Sequence, residues 1–343
     1  MARIALDAMG GDFAPQAPLA GALSALAELD PEHVIQLVGR ADVVREQLDS
    51  LLAGEFSGLA GARERLEIVD APEVIEMTDK PSVAIRGKPN SSMTVGLRLQ
   101  AEGASDAFVS AGNTGAQMAA SVYQLKLHEG LSRPAIATIF PTTKHPVVVL
   151  DSGANVDCSA QELVQFARLG AVFAEDVLGR RDPGVGLLSI GEEPEKGNTV
   201  VKEAHQLLRN AGVNFRGNAE GRDILKGAND QGTLDVVVCD GFVGNVILKF
   251  YESVAPTLVG TLVQHGFDKR KLTDALRHLD AESVGGAPLL GVRGVSIICH
   301  GKSSPRAIHN AIMGAARAVE RRMNEHMGRR LAVAPGGQEA AAT

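Results

Sequence analysis

The chain has 343 residues, enough for one large or two ordinary domains, with 45% hydrophobic and 22% charged residues in the balance of a globular protein. A formal net charge of -7 argues against nucleic acid as a partner held by bulk electrostatics. Cys158, Cys239 and Cys299 are odd in number and lack CxxC spacing, and strand-like sequence begins at Arg3, so a cytoplasmic location without a leader is expected. No unbroken apolar run approaches about 18 residues, so no membrane span is expected either.

Along the chain, short apolar runs alternate with longer helix-forming stretches. A strand at 3–7 precedes a helix at 15–29, and a strand at 34–38 precedes a helix at 42–52. A glycine-rich loop at 54–64 leads to a strand at 66–69, then a long polar loop at 77–92 runs into a helix at 91–101. Strand 107–109 leads to helix 114–127, and strands 135–140 and 147–150 lead to helix 160–177. Strand 184–190 leads to helix 199–210, strand 234–239 to helix 243–263, and strand 295–299 to helix 305–327. The small-residue tail at 331–343 reads as disordered. Runs such as DVVVC and VSIIC are apolar on both faces, as strands covered by helices on both sides must be. The alternation predicts an α/β fold of three α/β/α layers, Rossmann-like, with a largely parallel sheet.

In such folds ligands bind beyond the carboxyl ends of the strands. Six strands here end in glycine with short polar side chains. The first closes on DAMGGD, with Asp7, Gly10, Gly11 and Asp12. SAGNTG supplies Ser110, Gly112, Asn113, Thr114 and Gly115, and DSGANVD supplies Asp151 and Asn155. IGEEPEKGN holds Gly191, Glu193, Lys196, Gly197 and Asn198; CDGFVGN holds Asp240, Gly241, Gly244 and Asn245; CHGKSS holds His300, Lys302 and Ser303. Glycine loops at helix N-termini expose backbone N–H groups to phosphate or an oxyanion. The same residue types also build ordinary turns and N-caps, so each side chain has two readings. Lys88, Lys196 and Lys302 are either solvated or phosphate partners, and His300 is either a helix-entry residue or a proton donor. Asp151 and Asp240 either cap and orient or act as bases. The asparagines either cap helices or donate to a developing oxyanion. P-loop, complete GxGxxG, GxSxG and HExxH motifs are all missing, which weakens nucleotide, dinucleotide, serine-hydrolase and zinc-protease readings.

Together, DAMGGD at 7–12, SSM at 91–93, SAGNTGA at 110–116 and LDSGANVDC at 150–158 carry a resemblance, joined by IGEE with KGN at 190–198, DGFVGNVILK at 240–249 and HGKS at 300–303. In this order, over nearly the whole chain, they resemble the bacterial phosphate acyltransferases (PlsX), the fatty acyl-ACP:phosphate acyltransferases. The resemblance implies a fold related to isocitrate and isopropylmalate dehydrogenases and to phosphotransacetylase. It implies one domain over 1–330, built of two intertwined α/β subdomains, and a homodimer. The implied reaction moves a fatty acyl group from acyl carrier protein to inorganic phosphate, giving acyl phosphate for phosphatidic acid and phospholipid synthesis without a cofactor or metal. A downstream glycerol-3-phosphate acyltransferase is the implied consumer of that product, and peripheral membrane contact is implied as well.

Within that reading, Asn245, His300, Lys196 and Asp240 are the catalytic candidates, and the other loop residues named above are candidates for substrate or phosphate contact. Asp7 and Asp12 are expected to shape the loops, because a carboxylate beside phosphate repels it. Phosphate is already nucleophilic, so direct attack on the thioester is expected, with no acyl-enzyme. Acidic carrier protein calls for a local basic surface, for which Arg317, Arg321, Arg322, Arg329 and Arg330 or Lys269, Arg270 and Lys271 are available. Ile247, Phe250, Val254, Leu258 and Leu262 recur at helical spacing and suit core, dimer or membrane contact. Two rival readings are an NAD- and metal-dependent hydroxy-acid dehydrogenase and a non-enzymatic, membrane-associated carrier-protein scaffold.

Overall fold

The computed structural model describes residues 1–142, 144–276 and 285–332. In chain order the elements are β1 (Arg3–Asp7), α1 (Gln16–Glu28), β2 (Val34–Gly39), α2 (Ala41–Ala53), β3 (Leu66–Asp70), α3 (Pro81–Gly87), α4 (Ser92–Ala101) and β4 (Ala107–Ser110). Next come α5 (Thr114–Leu125), β5 (Ala135–Ile136), β6 (Thr138–Phe140), β7 (Val147–Leu150), α6 (Ala160–Asp176), β8 (Gly184–Leu188), α7 (Thr199–Leu208), β9 (Asn214–Ala219) and α8 (Gly221–Lys226). The chain continues through β10 (Ala228–Asn229), β11 (Gly232–Thr233), β12 (Val236–Val238), α9 (Gly241–Gln264), α10 (Lys269–Ala275), β13 (Ala287–Leu290), β14 (Val295–Ile298), α11 (Pro305–Glu320) and α12 (Met323–Ala332).

Two main sheets result. The first has seven strands in the order β3-β2-β1-β4-β14-β13-β5, and the second five in the order β6-β7-β12-β8-β9. β1 runs parallel to β2 and β4, and β14 parallel to β4; in the two main sheets, among the described residues, the pairs β13–β14, β13–β5 and β6–β7 are antiparallel. Side-chain alternation explains the two-faced apolar runs. Ile4 and Leu6 enter one core cluster while Ala5 enters another; Ala107 and Val109 are separated from Phe108 in the same way. In the second sheet Val236 and Val238 face one cluster and Val237 the other. Strands buried on both faces need helices on both, as the sequence pattern predicts.

Several elements depart from expectation. The run at 135–140 is not one strand: β5 ends the first sheet and β6 begins the second, so the chain crosses between sheets at Ala137. The polar loop at 77–92 contains α3, started by Pro81 at its first position, a place where proline's fixed φ favours a helix. The helix at 305–327 breaks after Glu320, where Arg322 takes φ +51, and resumes as α12. α12 extends to Ala332, so Leu331 is helical; residues 333–343 of the expected tail lie outside the described residues. β9, with the sequence NFRGNA, is too polar to be read as a strand, and β13, with APLL, is short and carries a proline in its interior. Finally, α9 holds a window of mean hydropathy 1.4, long and apolar enough to cross a membrane by length and composition alone, of which only 6% is buried. Lys249, Glu252 and Pro256 interrupt the run, so the sequence shows an apolar stripe on this helix and not an unbroken span.

Candidate active site

Polar chemistry gathers where parallel strands end. Residues from four strand ends surround one cavity of about 930 Å³: Thr114 beyond β4, Ser152 beyond β7, Asn245 beyond β12, and His300, Lys302 and Ser303 beyond β14. Two helices bring their first turns to it, with Thr114 opening α5 and Arg306 and Ala307 in the first turn of α11, and α9 reaches it at Asn245 in its second turn. Aligned peptide dipoles and first-turn N–H groups favour an anion at such a place. Lys302 adds positive charge, and the Lys249 ammonium lies on the wall paired with Glu252 at 2.8 Å. Much of the remaining wall is apolar, built by Ile136, Ile139, Phe140, Leu248, Ala255 and Val259.

His300 is exposed at this junction. Its Nδ1 accepts the backbone N–H of Lys302 at 3.2 Å, so the neutral ring keeps its proton on Nε2 and presents a donor. Asn245 sits beside Gly153, whose φ of +132 suits glycine and whose missing side chain leaves the Asn245 amide within about 3.5 Å of where a Cβ would stand.

A second set of sequence candidates stands behind this front and holds it. Asp7 is buried; it accepts from Ser110 Oγ at 2.7 Å and from the Met9 N–H at 3.1 Å, while Ser110 Oγ in turn accepts the Gly112 N–H at 3.0 Å. Burial pushes the Asp7 carboxyl above its ordinary range. Gly10 packs where a Cβ would come within 2.8 Å of the Gly112 nitrogen, and Gly11, at φ +100, lies against Gly301. The Asp12 N–H donates to the Gly301 carbonyl at 2.7 Å. Asn113 caps α5 through the Ala116 N–H and spends its amide N–H groups on the carbonyls of Met77 and Asp79, pinning the 76–80 segment beside Gly115.

Asp151 has the same role in the other sheet. Oδ1 accepts from Ile136, Gly153 and Ala154 N–H groups, and Oδ2 from the Asn155 backbone at 2.6 Å and side chain at 2.9 Å. Burial raises its pKa too. Gly241 and Gly244 let α9 lie against this loop: a Cβ at Gly244 would stand 1.9 Å from the Asp151 carbonyl oxygen. Asp240 caps α9 by accepting the Val243 N–H at 2.8 Å.

The loop after β8 stands apart. Gly191, Glu193, Lys196, Gly197 and Asn198 do not line the cavity among the described residues; Asn198 caps α7, and the Glu193 carbonyl accepts from Asn218. Near it the carboxylates of Glu192, Glu220 and Asp223 come within 4.8 Å of one another, and Arg222 pairs with two of them. Lys88 is held by the Val74 carbonyl and by Asp79 at 2.5 Å, a pair that keeps the Asp79 carboxyl below its ordinary range. Sequence reasoning missed Thr138, Tyr251 and Arg306 on the cavity wall. Arg306 follows HGKSSP closely enough that the start of α11 could have pointed to it; Thr138 and Tyr251 leave no local signal.

A model of fatty acid synthesis proteins matches residues 2–326. Relatives named "Phosphate acyltransferase" include one from Desulforamulus reducens, 47% identical with 93% of this chain and 94% of the relative covered. Another, from Salinibacter ruber, is 48% identical over 91% and 93% of the two chains. The chain belongs to the phosphate acyltransferase family. It is therefore an acyltransferase, and its solved structural neighbours share the fold. EutD phosphotransacetylase from Staphylococcus aureus superimposes with a TM-score of 0.60 at 15% identity, covering 93% of this chain and 94% of that one. A 4-hydroxythreonine-4-phosphate dehydrogenase from Klebsiella pneumoniae reaches 0.51 at 15% identity over 96% and 100%.

For a phosphate acyltransferase the cysteines matter, since acyl transfer can pass through a thiolate. Cys299 lines the cavity, but burial pushes its thiol up to about 12. Cys158 is also pushed to about 12, chiefly by burial, and Cys239 is buried and raised well above its ordinary value. All three stay protonated at neutral pH and are poor nucleophiles.

Proposed function

We propose that this enzyme transfers a fatty acyl group from acyl carrier protein to inorganic phosphate, releasing acyl phosphate for phospholipid synthesis. One observation carries the reading: a single cavity joins an anion-favouring end, made by the first turns of α5 and α11 and by Lys302, to a long, largely apolar wall on α9. A phosphate oxygen attacks the thioester carbonyl carbon, forming the C–O bond and a tetrahedral oxyanion. Collapse breaks the C–S bond, and the carrier thiolate leaves and is protonated; an ordinary thiol pKa of about 8.5 makes it a good leaving group. The Nε2–H of His300 and the Asn245 amide are the donors assigned to the oxyanion, with Lys302 and first-turn N–H groups assigned to phosphate. The remaining loop candidates, among them Asp7, Asn113, Asp151 and Asp240, are assigned to holding these groups in place. The assay supplies acyl carrier thioester and follows release of the carrier thiol. Release that depends on phosphate supports the reading, and release at the same rate without phosphate contradicts it.

Of the two basic surfaces, α10 is the better placed for the acidic carrier. Thr273 and Asp274 at its end line the cavity, whereas Arg317 and Arg321 stand about 16 and 22 Å along α11 from Arg306. Reversing charge at Lys269, Arg270 and Lys271 is expected to raise KM for carrier-bound substrate at unchanged kcat; an unchanged KM removes this surface. Phe250 and Leu258, exposed by 72% and 44%, make the outer face of α9 suit a second copy or a membrane surface. A homodimer with peripheral membrane contact is proposed on that basis; sedimentation showing a monomer, or vesicles that fail to float the protein, rejects the respective part.

A further inference from the structure

The cavity follows one face of α9. Asn245, Leu248, Glu252, Ala255 and Val259 line it at intervals of three and four residues, a continuous stripe over four turns. From Asn245 to Val259 the helix advances about 21 Å, and from Asn245 to Ala255 about 15 Å. An acyl chain of a membrane lipid spans about half of the ~30 Å hydrocarbon core, or about 15 Å. Chains in a fluid bilayer are not fully extended, so an extended long chain lying on this stripe, with its carbonyl beside His300 and Asn245, passes Ala255 and ends near Val259. The stripe stays compatible with hydrocarbon where it carries charge, because Glu252 is paired with Lys249 at 2.8 Å and both present methylene stems. Alanine at position 255 leaves the path open, and half-buried Val259 stands about one turn beyond.

We propose that α9 is the gauge of acyl-chain length, with Ala255 as the position that a full-length chain must pass and Val259 as the wall beyond it. The assignment rests on the acyl-transfer reading, and neither residue takes part in the chemistry. Their side chains set where the hydrocarbon ends.

The test measures kcat/KM with octanoyl, lauroyl and palmitoyl thioesters of acyl carrier protein in four variants: Ala255→Phe, Ala255→Leu, Val259→Phe and Thr257→Phe. Thr257 is exposed and off the lining, so its variant is the control. Ala255→Phe is expected to lower palmitoyl transfer at least about tenfold while octanoyl transfer stays within about twofold, since a few misplaced methylenes in an apolar pocket are worth that much. Ala255→Leu gives the same order with a smaller loss and keeps the test alive if phenylalanine prevents folding. Val259→Phe, one turn further out, affects palmitoyl alone and less strongly. Equal losses at all three chain lengths, or no length dependence in the Ala255 variants, overturn the gauge. Failure of the unaltered enzyme with every thioester instead overturns the acyl-transfer reading beneath it.

Discussion

Asp7 and Asp151 show how a sequence motif can be catalytic in appearance and architectural in geometry. Each closes a strand, each is buried, and each spends its oxygens on donors of the loop it begins and of a second strand, Ser110 for Asp7 and Ile136 for Asp151. Because burial raises the Asp151 pKa above its ordinary 3.8, the folded protein holds that proton more tightly than the unfolded chain. Its stabilising contribution is then fully present below the unfolded value and fades as pH rises through the folded value. In thermal melts of wild type and Asp151→Asn, the wild type's relative advantage should be largest near the unfolded value, at about pH 4, and smaller at about pH 8. A difference that is flat, or that grows with pH, contradicts the raised pKa. The thiols make a parallel case at the same scale. With Cys299 pushed to about 12, Cys299→Ala should keep kcat within about threefold. A loss beyond about 100-fold, in a variant that still folds, would make that sulfur a reactant.

At the scale of elements, glycine at close contacts decides which helices can reach the site. Gly244→Ala would drive a Cβ to 1.9 Å from the Asp151 carbonyl oxygen, so α9 must lift from the 151–155 loop. A stability loss of about 3 kcal/mol, read from denaturant unfolding, is expected together with loss of activity; a neutral substitution would mean the approach is looser than this. Such contacts also explain what was legible in advance. Strands β1, β2, β4 and β7 were legible because burial on both faces leaves an unmistakable apolar run. β9 and β13 were not, being polar or proline-bearing, with their places fixed by neighbouring strands. The break at Ala137 was hidden for a related reason: local sequence favours one strand, and only the meeting of two sheets divides it.

At the scale of the whole molecule, the six glycine-bearing loops read from sequence sort into three groups. The loops after β4, β7, β12 and β14 supply cavity residues, the β1 loop braces them from behind, and the β8 loop lies outside the lining among the described residues. Residue type and strand-end position identified the loops, but their sorting depends on how the two sheets face one another, which spacing along a chain does not encode. The apolar wall was hidden as well, because the same α9 carries hydrophobic residues on its outer face and the pattern cannot say which face meets a ligand. The central claim is that this cavity brings phosphate and an acyl thioester together for direct attack. The most direct measurement incubates the protein with palmitoyl carrier thioester and labelled inorganic phosphate, then follows both the label and the intact mass of the protein through one turnover. The account expects label in acyl phosphate, formed in step with free carrier thiol, and a protein mass that never gains an acyl group. Acyl transfer onto the protein in the absence of phosphate, or thioester loss without labelled acyl phosphate, would contradict it.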